Sequence, residues 1–110
     1  MSKTRSLSPM ARLVVRLLGK LIRTGRIERE MTGTELSERA GISRDMLYRI
    51  EKGDPRCEIG AVFEVATIVG VPLFEADERA LRQWERVVSD RLELLPKSVR
   101  SQPTVSSDDF

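Results

Sequence analysis

Histidine is absent from this chain of 110 residues. That removes the side chain most often used as a general base near neutral pH, and the commonest metal ligand. Cys57 is the single cysteine, which excludes an internal disulfide and a multi-cysteine metal site. No Gly-rich phosphate loop and no metal-ligand spacing occurs. Nothing clusters as a nucleophile with a base, so the sequence offers no catalytic residue, no metal site and no cofactor, and an enzyme is the least expected class. No apolar run approaches the roughly 18 residues of a membrane span. The N-terminus carries Lys3 and Arg5, and the apolar stretch behind them is interrupted by Arg12 and Arg16, a poor secretory signal. A cytoplasmic protein is expected.

What is present suits a soluble globular chain with one modest core: 33% of residues are charged and 40% apolar. The net charge of +2 hides an asymmetry. Residues 1–30 hold eight Lys or Arg against two Glu, residues 31–56 hold five of each sign, and residues 57–95 hold four positive against eight negative. A basic front and an acidic back suit a protein that meets a polyanion with one side.

The residue pattern is helical throughout, with no strand pattern and no internal repeat. Residues 1–8 read as a disordered arm. Ser8 and Pro9 form a helix start. The helix runs from Met10 to about Glu30, with Met10, Leu13, Val14, Leu17, Leu18 and Leu21 on one side. Arg12, Arg16, Lys20, Arg23 and Arg26 lie mostly on the other and are candidate phosphate ligands. Gly19 and Gly25 each weaken this helix by up to ~1 kcal/mol relative to Ala, so a break near either would be compatible with the sequence.

Thr32-Gly-Thr-Glu35 spells a capping box that opens a second helix ending at Ala40. Gly41 supplies the left-handed residue that stops it, Ile42 plugs the corner, and Ser43 caps a third helix over about Arg44 to Glu51. Leu36, Ala40, Leu47 and Ile50 fall at helical spacing and face inward. Gly53-Asp54-Pro55 ends the third helix, and residues 54–58, Cys57 included, are a loop. A fourth helix over Ile59 to Val69 should bury Ile59, Val62, Phe63, Ala66 and Val69, and Gly70-Val-Pro72 ends it. Asp77 can cap a fifth, from Glu78 to about Leu95. Its stripe of Leu81, Trp84, Val88, Leu92 and Leu95 is wider than one small domain needs. Such a stripe is more often intramolecular core, but a lone terminal helix has little to pack against, so it is read as a dimer or partner surface, with Trp84 as a packing anchor. Residues 97–110 read as a flexible tail. The expected organisation is a DNA-binding domain over 9–76 and a contact helix over 77–96.

Residues 33–52 are the centre of this organisation. Two short helices joined by a tight turn place the second in a major groove about 12 Å wide. Ser43, Arg44, Asp45, Tyr48 and Arg49 are the candidate base readers, with Thr32, Thr34 and Lys52 as further phosphate ligands. Arg44 and Arg49 match guanine, and Tyr48 reaches a phosphate or a thymine methyl. Asp45 has three readings: it accepts from a cytosine amine, it holds Arg49 in a fixed rotamer, or it simply favours a helix N-terminus. The plainer alternative is an ordinary helix pair with a solvated polar face. The coincidence of the cap, Ala40, Gly41 and the apolar residues Leu36, Ile42, Leu47 and Ile50 favours DNA.

Residues 18–74 resemble the Xre/Cro-type helix-turn-helix domain. The resemblance rests on Leu18-Gly-Lys-Leu-Ile-Arg23, Met31-Thr-Gly-Thr-Glu-Leu36, Arg39-Ala-Gly-Ile-Ser43 and Tyr48-Arg-Ile-Glu-Lys-Gly53. It implies an all-α, five-helix bundle, here with an extended N-terminal helix and an extra C-terminal one, that dimerises on a palindromic operator. Ile50-Glu-Lys-Gly-Asp-Pro55, Val69-Gly-Val-Pro72 and Leu94-Leu-Pro-Lys97 are similar to HipB-like antitoxins, which implies a HipA-like serine/threonine kinase toxin as partner and repression of the pair's own promoter. The alternatives are a stand-alone Xre-type regulator and a module that chiefly neutralises a partner enzyme. The family often has Gln where this chain has Gly33; that residue touches phosphate and braces the recognition helix. Here the contact is expected to be missing, or made by Thr32 or Thr34. Ser37 stands where the family usually has Ala.

Overall fold

The computed structural model describes residues 6–74 and 77–99. Most of the arm expected over 1–8 and of the tail expected over 97–110 falls outside the described residues. The described residues form five helices and no strand: α1 (Pro9–Glu28), α2 (Gly33–Ala40), α3 (Arg44–Glu51), α4 (Ile59–Ile68) and α5 (Glu78–Glu93). None of them is long and apolar enough to cross a membrane. The chain divides into two compact units, Met1–Glu75 with the first four helices and Ala76–Phe110 with the fifth.

The helix starts follow the sequence signals. Ser8 Oγ accepts from the Ala11 amide at 3.1 Å, with Pro9 in the first turn. At α2 the capping box is complete: Thr32 Oγ1 accepts from the Glu35 amide at 3.0 Å and Glu35 Oε1 accepts from the Thr32 amide at 2.8 Å. The four helices of the first unit also end alike. The amides of Met31, Ile42, Asp54 and Val71 reach back to the carbonyls of Arg26, Ser37, Arg49 and Ala66, the closing bond of a Schellman motif. Glycine holds the left-handed position in three of them, and Glu30 holds it after α1 with φ of 54°. A residue with a Cβ pays about 1–2 kcal/mol there.

Ile22, Leu36, Leu47, Ile50, Val65, Ala66 and Val69 form the core, each at most 3% exposed. Two inward expectations fail. Ile59 is 68% exposed and Phe63 is 39% exposed, while Ala61 and Val65 point inward instead. The reason is that α4 is apolar on nearly every side, so spacing alone does not select its buried face. In α1 no break occurs; the helix is continuous through both glycines. Its buried residues are Gly19, Ile22 and Gly25, not the leucine-rich side, where Met10, Leu13, Val14, Leu17 and Leu21 remain 45–69% exposed. At 100° per residue α1 therefore has three faces: a small-residue face in the core, an apolar seam, and a basic strip.

Taken by itself, α5 is capped as expected, with Asp77 Oδ1 accepting from the Ala80 amide at 2.8 Å. Glu78 and Arg82 form an ion pair one turn apart. Leu81 is half-buried, and Trp84, Val88, Leu92 and Leu95 are exposed. In the single chain Trp84 is 60% exposed.

Candidate nucleic-acid interface

The α2–α3 turn fixes the site. Gly41 adopts φ of 72°, and Ser43 Oγ accepts from the Met46 amide at 3.0 Å. Leu47 and Ile50 are driven into the core. Because those two apolar residues face inward, helical geometry turns Arg44, Asp45, Tyr48 and Arg49 outward. The Ser43 oxygen accepts the cap bond and so sets where α3 begins, and its hydroxyl hydrogen remains free to donate.

Arg44 Nη1 donates to Thr34 Oγ1 at 2.8 Å. The arginine side chain lies along the start of α2. A Cβ added to Gly33 would sit 3.6 Å from Arg44 Nε, an ordinary contact. The brace between the first and second motif helices is thus present, made by Thr34 from one side and Arg44 from the other. Asp45 Oδ2 accepts from Arg49 Nε at 3.0 Å, the rotamer-holding arrangement among its three readings. Tyr48 is 61% exposed, and Lys52 Nζ sits 5.4 Å from the centre of its ring, within range of a cation–π contact. Thr32 Oγ1 accepts the capping-box bond, which leaves its hydroxyl hydrogen free to donate.

The basic strip of α1 divides. Arg12, Arg16, Lys20 and Arg23 are exposed, and Arg12 Nη1 donates to the Leu7 carbonyl at 2.6 Å. Arg26 is different. Its Nε and Nη2 donate to Glu51 at 2.7 and 3.0 Å, and its Nη1 donates to the Met31 carbonyl at 3.0 Å. The two side chains are only 15% and 10% exposed. The hydrogen bonds that the Arg26 guanidinium donates to Glu51 raise its already high pKa further. Arg26 ties α1 to α3, with its donors turned inward.

Sequence reasoning overlooked Asp54 and Arg56. Asp54 Oδ1 accepts from the Arg56 amide at 2.9 Å and from Arg56 Nε at 3.1 Å, and Oδ2 accepts from Arg56 Nη2 at 3.1 Å. Asp54 Oδ2 also lies 3.8 Å from Arg49 Nη1, an ion pair too long for a hydrogen bond. The Arg56 hydrogen bonds hold the Asp54 carboxyl below its ordinary pKa, so it stays ionised at neutral pH. An Asp two residues before an arginine amide, directly after a helix-ending glycine, is an Asx-turn signal. It could have been read from Gly53-Asp-Pro-Arg56. Cys57 is half-buried, and burial raises its thiol pKa, which suits a loop residue with no chemistry.

A capped helix pair, an outward polar face on its second member and a basic strip beside it define a DNA-binding helix-turn-helix module. The model of the family described as "Helix-turn-helix domain" matches residues 17–81. The chain belongs to that family, and with it to the DNA-binding regulators. Neither the curated proteins nor the solved structures contain a match to the chain.

Proposed function

We propose that this protein is a sequence-specific, Xre-type transcriptional repressor that binds a palindromic operator as a homodimer in the cytoplasm. The observation that carries the proposal is the outward face of α3, where Arg44 is braced on Thr34 and Arg49 is held by Asp45. Donors fixed in advance lose less freedom on binding, and a fixed fork is what bidentate reading of guanine needs. Two such helices presented about one DNA turn apart would match a palindrome. The exposed apolar residues of α1 and of α5 supply surface for pairing.

The narrower role we propose is antitoxin and autorepressor beside a HipA-like kinase. It is supported by the sequence of Ile50–Pro55, Val69–Pro72 and Leu94–Lys97. Co-purification from the native host should then recover a kinase with the chain; a chain recovered with DNA alone leaves the stand-alone repressor.

DNA binding is tested by titrating duplexes selected from a random pool across a salt series. Each phosphate contact adds about −0.9 to the slope of log K against log salt. Arg23→Ala should weaken selected and random duplexes equally and flatten the slope by about one unit. Binding that ignores salt would remove the proposal. In the same samples, light scattering at micromolar concentration should give twice the chain mass; a monomer would remove the dimer.

A further inference from the structure

The loop after α3 is built more firmly than a connector requires. Gly53 has φ of 80°, and a Cβ there would lie 2.9 Å from Arg16 Cα. The loop backbone is therefore pressed onto α1 where the exposed Arg16 emerges. The Asp54 amide donates to the Arg49 carbonyl at 2.9 Å, which fixes the backbone that carries the carboxylate. The Asp54 side chain is 12% exposed, whereas that of Arg56 is 68% exposed.

The pair is asymmetric as a result. Both carboxylate oxygens are covered by Arg56, while the guanidinium spends its Nε–H and one Nη2–H on them. Of its five N–H donors, both on Nη1 and one on Nη2 have no part in that fork. A carboxylate beside DNA is normally repulsive. Here the exposed Arg56 guanidinium lies over the covered carboxylate, oriented by its two-point fork. The same carboxylate stands at ion-pair distance from Arg49 on the side away from Asp45's hydrogen bond.

We propose that Asp54 is a positioning residue for DNA recognition: it presents Arg56 to a backbone phosphate at the C-terminal end of α3 and shares with Asp45 the setting of Arg49. This rests on the DNA-binding reading above. It adds a phosphate ligand, Arg56, and gives an acidic loop residue a part in specificity.

The test compares wild type with Asp54→Asn, Arg56→Ala and Arg56→Lys, on a duplex selected by the wild-type chain and on random duplex, each over a salt series. Asn keeps an oxygen for the Arg56 amide and loses the charged pair. Arg56→Ala should flatten the salt slope by about 0.9 on both duplexes. Asp54→Asn gains net positive charge, yet its ratio of selected to random affinity should fall about fivefold or more. Arg56→Lys keeps the charge without the fork, so its slope should stay at wild type while its ratio falls. An unchanged slope in Arg56→Ala would overturn the phosphate contact. Equal tightening on both duplexes by Asp54→Asn would mean simple repulsion and overturn the positioning role. A wild-type chain that binds no duplex would instead remove the DNA-binding reading itself.

Discussion

Arg26→Ala is expected to destabilise the first unit by about 3 kcal/mol, the range for removing one partner of a largely buried ion pair. Glu51, whose side chain is 10% exposed beside Arg26, would lose that cation. The Met31 carbonyl would lose its Arg26 Nη1 donor as well. Against a total stability of about 5–15 kcal/mol, that is a large fraction. Urea unfolding followed by circular dichroism measures it. Glu51→Gln should show a smaller loss, because the amide can still accept one hydrogen bond. Replacing both partners by apolar residues, Arg26→Met with Glu51→Leu, should recover much of the stability, since the desolvation cost of the charges goes with them. The salt dependence of DNA binding should be the same in Arg26→Ala as in wild type. That outcome would separate Arg26 from Arg12, Arg16, Lys20 and Arg23, with which its spacing groups it. A variant as stable as wild type would mean the pair is solvated and open in solution.

Arg26 also shows what kind of information the sequence carried. Local signals translated directly. The caps at Ser8, Thr32, Ser43 and Asp77 and the left-handed turn at Gly41 depend on neighbours within a few residues, and each is where the sequence puts it. The outward face of α3 followed from Leu47 and Ile50 by helical geometry alone. Failures came where a partner from a distant stretch decides. Arg26 and Glu51 are twenty-five residues apart, and no period in α1 distinguishes Arg26 from Arg23. Ile59 and Phe63 were expected inside because α4 is apolar nearly all round, and only its packing partners determine which side is buried. Arg56 has no periodic pattern of its own; what makes it legible is the local Asx-turn signal of Asp54 two residues before it. The brace at the start of α2 is likewise made by a pair, Thr34 and Arg44, that lie ten residues apart.

Glycines in α1 gave the most misleading local signal, and Gly19 provides the second large effect. Propensity predicts that Gly19→Ala stabilises a helix interior by up to about 1 kcal/mol. The packing predicts the opposite. A Cβ at Gly19 would lie 2.5 Å from the Ile50 carbonyl oxygen and 2.9 Å from that of Glu51. Both are backbone atoms of α3, so no side-chain rotation relieves the clash. Overpacking of this kind costs about 1–3 kcal/mol, occasionally more. The net expectation is a loss of about 2 kcal/mol. Gly25→Ala should behave similarly, with the Val69 carbonyl oxygen 2.7 Å from the added carbon. Gly60, at the start of α4, has nothing within 4 Å of an added Cβ; there Ala should be neutral or stabilising by up to about 1 kcal/mol. The consequence extends to function. The clash pushes α3 away from α1, and α3 carries the proposed base readers. Gly19→Ala should therefore lose selectivity between selected and random duplexes even at temperatures where it stays folded, whereas Gly60→Ala keeps it. Thermal melts of the three alanine variants, with binding measured well below each midpoint, would decide the matter. If Gly19→Ala melted above wild type and bound with unchanged selectivity, α1 and α3 would not make the close backbone approach that sets the angle of the recognition helix.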